Sequence, residues 1–176
     1  MAQDLPFQSI PKAPESISSK HLLIRMIQGV GFRYYWATEG LRKEDLKYRP
    51  SKSGQSTGKT LEHIYGLAMV IANTTNNIAT LRPPQKVPQE FKLLRSETLA
   101  FLKEAADQLL KMNPKEIEAL QVIFNRGGEQ SKFPLWNLIN GPISDAIYHT
   151  GQVVSFRRSS GNPIPKGVNV FLGVKN

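Results

Sequence analysis

The sequence predicts an all-α protein built as a bundle of long helices, on three observations. Apolar residues recur at three-, four- and seven-residue spacings in successive segments, the stripe of an amphipathic helix. Proline and glycine punctuate the chain between those segments. No series of alternating strands and turns appears, which leaves the all-α bundle as the economical architecture. The 176 residues fit one domain. Residues 1–16, with Pro6, Pro11 and Pro14, read as an extended arm, and residues 17–176 as a single helical domain.

The first helix carries Ile17, Ile24, Ile27, Tyr34 and Leu41 on one stripe; Gly40 loosens its end, and Arg49-Pro50 closes the segment that follows. Residues 51–59 form a polar loop. A second helix starts near Thr57 to Thr60 and carries Leu61, Ile64, Leu67, Ala68, Ile71 and Ile78. Pro83, Pro84 and Pro88 mark a linker. A third helix runs from about Gln89 to Met112, with Phe91, Leu94, Thr98, Phe101, Ala105 and Leu109 along one face. Asn113-Pro114 ends it and opens a short helix, Pro114 suiting a first helical position. Gly127-Gly128 make a loop. The last helix spans roughly Pro142 to Ser159, preceded by a turn at Leu135 to Ile139. In the tail, Val168, Val170, Phe171 and Leu172 are expected to pack back on the bundle.

The chain has no cysteine, so disulfides, thiolate metal sites and cysteine nucleophiles are excluded. Any metal must be held by nitrogen and oxygen ligands, with only three histidines to draw on. No apolar stretch approaches the roughly 18 residues of a spanning helix, and the N-terminal residues do not resemble a signal peptide. Both point to a cytoplasmic protein. The net charge of +9 invites a nucleic-acid reading, but the cations are scattered among acids through most of the chain and no nucleic-acid motif is present. Beyond Asp145 the cations Arg157, Arg158, Lys166 and Lys175 have no acid among them. They read as a solvated basic surface, with attraction of an anionic substrate as the alternative.

The run GQSTGKT, Gly54 to Thr60, imitates a phosphate-binding loop but is one residue short, and no buried strand precedes it. It reads instead as a loop feeding a helix start, with Thr57 or Thr60 as caps.

Asp145 and His149 are four residues apart on a helix and so lie on one face, with Gln152 one turn further along. A carboxylate and an imidazole so placed can bind one divalent ion of the zinc, nickel or iron class, and His63 on the second helix is the natural third ligand. Taken alone, such a pair is more often a surface or capping contact.

The segment WNLINGPISDAIYHTGQVVSFRRSSGNP, Trp136 to Pro163, resembles the C-terminal helix of the DinB-like family, whose pattern is an aromatic approach, then H-x-x-x-H-x-G-Q, then a basic residue and a glycine. His149, Gly151, Gln152, Arg158 and Gly161 occupy those places. Arg49-Pro50 and STGKTLEHIYGL resemble the family's Arg-Pro turn and second helix, whose histidine would be His63. The match extends over roughly residues 17–163. It implies a four-helix bundle of the DinB/YfiT-like kind with one long crossover, and a three-histidine metal site facing a cavity. Zinc or nickel is the metal it first suggests, and iron and manganese are also admitted. It further implies a metal-dependent transferase or isomerase that uses a small thiol, acting on a small molecule. A homodimer is compatible with such a bundle.

The sequence departs from that pattern at Asp145, where the family has the first histidine of the pair. Two readings follow: a metal site with one carboxylate ligand, or a buried hydrogen-bond network of the same residues that has lost its metal. The second would suit a non-catalytic, stress-associated binding or interaction module. Gln152 then either supports a ligand or caps a polar cluster. Tyr148 and Trp136 either line a pocket or belong to the core. His21 has no matching motif and reads as structural or exposed.

Overall fold

The computed structural model describes residues 4–84 and 86–176; Met1 to Gln3 of the expected arm and Gln85 of the expected linker lie outside the described residues. Four long helices form the body: α1 (Ser19–Thr38), α3 (Thr57–Thr75), α4 (Phe91–Lys111) and α7 (Ser144–Ser159). Between them sit α2 (Lys43–Lys47), α5 (Pro114–Glu118) and α6 (Trp136–Leu138).

The ends of these helices have local causes. Glu39 turns extended after α1, and Gly40 follows at φ +70°, a left-handed conformation that suits glycine. Ser56 Oγ accepts from the Lys59 amide and caps α3, a position the sequence reading gave to Thr57 or Thr60. The Glu90 carboxylate accepts from the Lys92 and Leu93 amides at the start of α4. Three stripe residues fall outside their helices as a result. Leu41 lies beyond the end of α1, half-buried against the core. Ile17 precedes α1 and Ile78 follows α3, and both are exposed. A π-helical turn at Ile139–Ile143 holds Pro142 and feeds α7, and Ser144 Oγ donates to the Ile139 carbonyl there.

The topology follows from which residues meet. Both α1 and α3 pack against α4 and α7, so α1 and α3 face each other diagonally. Tyr34 meets Thr98 while Lys20 meets Leu110, so α1 and α4 are antiparallel. Tyr65 meets Glu97 while Asn76 meets Glu104, so α3 and α4 run the same way. The C-terminus of α7 lies at the C-terminus of α1, where Arg157 reaches the Trp36 and Ala37 carbonyls. The bundle is therefore up-down-down-up, and residues 76–90 form the long crossover.

The expectation of no strands is corrected. β1 (Thr80–Leu81), within the crossover, pairs in parallel with β2 (Gln121–Arg126), and β2 pairs antiparallel with β3 (Glu129–Pro134). Arg126 faces Glu129, so Gly127-Gly128 is a two-residue hairpin turn, with both glycines at positive φ as such a turn requires. Val122 is the residue of this hairpin that enters the core; β3 is exposed throughout. The tail also differs from expectation. It forms a small hairpin, β4 (Val168–Asn169) with β5 (Val174–Lys175), whose turn leaves Val170, Phe171 and Leu172 in solvent. Gly173 is what packs back, its carbonyl accepting from the Ile10 amide at 2.8 Å.

The arm lies on the bundle. Phe7 seats its ring against Gly31 of α1, where an added Cβ would come within 2.5 Å of the ring. The Trp36 indole donates to the Gln8 carbonyl, and Arg25 to that of Pro11.

A buried polar hub fixes the end of the bundle where α1 and α7 finish. Arg157 is 2% exposed, not the solvated helix end the sequence suggested. It donates to the carbonyls of Trp36, Ala37, Glu39 and Asn162, which lack helical partners or close the turn after α7. Beside it, the fully buried Asp45 accepts from the Arg42 backbone and guanidinium, Ser160 Oγ and Asn162 Nδ2. The Arg42 guanidinium first, then the Ser160 hydroxyl and the Arg42 and Asn162 N–H groups, hold the Asp45 carboxyl well below the usual carboxylate range against the opposing effect of burial.

Two predictions follow from the hub. Arg157→Met leaves several buried carbonyls unpaired and lowers unfolding free energy by about 3 kcal/mol or more in a urea titration. Asp45, ionised in the fold at pH values where the unfolded chain is protonated, contributes stability that is complete above about pH 4 and lost as pH falls below it. Thermal melts of Asp45→Asn are therefore lower at neutral pH and flatter than wild type through the acid range.

Candidate metal centre

α3 and α7 cross so that His63 comes opposite the first two turns of α7. His63 Nε2 lies 3.0 Å from Asp145 Oδ2, and His149 Nε2 lies 3.3 Å from Asp145 Oδ1. One carboxylate thus faces both imidazoles, one oxygen to each. The two rings stand edge to face at 4.6 Å between centroids. The three donors lie within 4.8 Å of one another.

Gln152 Oε1 lies 2.7 Å from His149 Nδ1. A neutral imidazole that donates Nδ1–H to this carboxamide oxygen has its Nε2 lone pair toward Asp145. A lone pair facing a carboxylate oxygen is unfavourable unless a proton or a cation lies between them. Gln152 Nε2 in turn donates to the Tyr148 hydroxyl at 3.2 Å.

The cluster is open to solvent: the His63 side chain is 51% exposed, Asp145 40% and His149 22%. That exposure counts against a buried, self-satisfied network, whose members would be hidden from water. A cavity of about 500 Å³ lies over the two histidines. The loop before α3 contributes Gly54 and Gln55, α3 contributes Lys59 and His63, and α7 contributes His149 and Gln152.

Of the residues singled out by sequence, the structure brings together His63, Asp145, His149, Gln152 and Tyr148. Tyr148 is 62% exposed. Trp136, on α6, is 75% exposed and is neither core nor among the residues lining this cavity. His21 bonds Ser18 at the start of α1, apart from the cluster, and Arg158 is exposed. Sequence reading missed Lys59 and Gln55 as parts of the cavity. The available signal was the four-residue step from Lys59 to His63, which puts both on one helix face.

Donor chemistry and spacing fit a divalent ion. Imidazole nitrogen and carboxylate oxygen are both zinc-class ligands, and one atom from each residue lies within 4.8 Å of the other two. Fold and site together define a four-helix bundle carrying a two-histidine, one-carboxylate cluster between two antiparallel helices. Residues 17–168 match the model of the DinB family. The chain belongs to that family. No curated protein matches it. Among solved structures it is similar to a DinB-like protein, YjoA, of Bacillus subtilis, at 13% identity and a TM-score of 0.60, covering 82% of this chain and 96% of that one. It is also similar to YfiT of Bacillus subtilis, described as a probable metal-dependent hydrolase with an unusual four-helix bundle topology. There the identity is 14% and the TM-score 0.60, with 86% of this chain and 94% of that one covered. Among the described residues no helix is long and apolar enough to cross a membrane.

The exposed geometry makes its own prediction. In metal-free protein Asp145→Ala changes unfolding free energy by less than about 1 kcal/mol, as for solvent-exposed ion pairs. A loss of about 3 kcal/mol or more would mark a structural network instead.

Proposed function

We propose that this chain is a metal-dependent enzyme acting on a small molecule, with His63, Asp145 and His149 holding one divalent ion. The observation that carries the proposal is the convergence of three metal-competent donors from two helices, two of them, His63 and His149, lining an open cavity. Zinc or nickel suits this donor set best, and iron or manganese is also compatible with it. A divalent ion held by three protein ligands supplies Lewis-acid chemistry and a bound water or thiol made nucleophilic at neutral pH.

The chain's own residues prepare that site. Gln152 fixes the His149 ring so that Nε2 is the free donor, the usual role of an outer hydrogen bond to a ligating histidine. Asp145 supplies a negative charge where the family pattern has a neutral imidazole, and so lowers the net charge of the site by one. Hydrolysis is one chemistry such a site serves. Transfer or isomerisation with a small thiol as cofactor is another, and both take a small molecule through the cavity. A chain without cysteine suits the reducing cytoplasm, where we place it. A second reading, a non-catalytic binding module of the same fold, draws on the carboxylate at position 145; ligand retention without turnover in metal-loaded protein would mark it.

Elemental analysis of purified protein is expected to find about one divalent ion per chain, lost in both His63→Ala and His149→Ala. Gln152→Ala should keep the ion but weaken its affinity by about 10- to 100-fold in a chelator competition. Folded protein that takes up no zinc, nickel, iron or manganese after reconstitution would overturn the proposal.

A further inference from the structure

The cavity above the histidines is not chemically neutral. Among the described residues lining it, Lys59 alone carries a fixed charge. The remaining surface is amide and hydroxyl, from Gln55, Gln152 and Thr60, with apolar walls from Pro50 and Phe156. Lys59 and His63 are four residues apart on α3, so they share a face and are separated by roughly 6 Å of helix rise. A molecule bound at His63 and His149 therefore has a cation within reach one helical turn further toward the start of α3.

Lys59 is free to serve. Its present partner is Glu62, three residues on, at 2.6 Å, and the Lys59 side chain is 58% exposed. Helical ion pairs of this kind at the surface are weak, so the ammonium exchanges Glu62 for a ligand's anion at small cost. No lining residue opposes an anion, since Glu62 is not part of the cavity wall.

The geometry points to a substrate that is a small anion, with a carboxylate-type group recognised by Lys59 and the reacting group, two or three bonds away, presented to His63, Asp145 and His149. This rests on the reading of those three residues as a metal site and adds the substrate class to it. Lys59 is then the specificity-determining residue. The loop before α3 forms the wall of the anion's subsite through Gly54 and Gln55.

The test uses cobalt(II)-loaded protein and two hydroxamates as probes, acetohydroxamate and the monohydroxamate of succinate. They share the metal-seeking group and differ in a carboxylate tail. Binding is read from the visible cobalt spectrum and by calorimetry, with no turnover needed. Wild type should bind the tailed probe about fivefold or more tightly than the neutral one. The preference should vanish in Lys59→Met, persist in Lys59→Arg, rise in Glu62→Gln and weaken with salt. Equal affinities in wild type, or a preference that survives Lys59→Met, would overturn the inference while leaving the metal site standing. Failure of folded protein to take up cobalt would overturn the metal reading and this inference with it.

Discussion

Every helix in a bundle ends in carbonyls that its own turns cannot satisfy, and at the ends of α1 and α4 a side chain from another helix satisfies them. Arg157 of α7 binds the last carbonyls of α1, and Lys20 of α1 binds the Leu110 and Met112 carbonyls at the end of α4. Each places a cation at the negative end of a helix dipole. The Arg157 contact sets the register of α7, because its guanidinium donates from a fixed fork to Trp36, Ala37, Glu39 and Asn162 at once. Asp45 locks the other side through Ser160 and Asn162. With the C-terminal end of α7 pinned, His149 and Asp145 are carried two and three turns back along the same helix, to the height of His63. The open cluster can stay lightly packed on its α7 side because a buried hub elsewhere positions that helix.

This arrangement also accounts for part of the positive charge. Arg25, Arg33, Arg49 and Arg95 likewise donate to backbone carbonyls within the fold. Arg95 stacks on Tyr35 as well, 4.6 Å from its ring centroid. Cations used in this way are not free to line a phosphate backbone. A net charge of +9 is weak support for nucleic-acid binding when so many guanidiniums are committed to carbonyls.

The long helices and the pairing of Asp145 with His149 were legible in the sequence because both are written in helical periodicity, whereas the approach of His63 was expected from the family resemblance. Four-residue spacing puts Asp145 beside His149 without reference to the rest of the fold. The β2–β3 hairpin was not legible because its strands do not alternate. β3 reads EQSKFP, exposed along its whole length, so no apolar face announces it. The Gly127-Gly128 pair was the one cue, and it fixes a turn without fixing strands. The role of Arg157 was hidden for a different reason. Its partners on α1 and just after it are backbone atoms some 120 positions away, and no residue pattern marks a carbonyl that lacks a donor. The parallel course of α3 and α4 is equally invisible to periodicity, which gives the face of a helix but not its direction.

Asp145 stands where the sequence resemblance implies a histidine, and its surroundings suit a carboxylate. A carboxylate has two oxygens, and Asp145 uses one toward His63 and the other toward His149. A single imidazole nitrogen could not face both. Its charge also alters what the cavity favours. Two imidazoles, one carboxylate and a divalent ion sum to +1, one unit less than an all-histidine site. The second positive charge of the cavity is carried instead by Lys59, one turn along α3. With an ion held as proposed, the total equals that of a three-histidine site, divided between the ion and Lys59. A substrate with charge at one end and a reactive group at the other meets both, whereas a compact neutral molecule meets only the first.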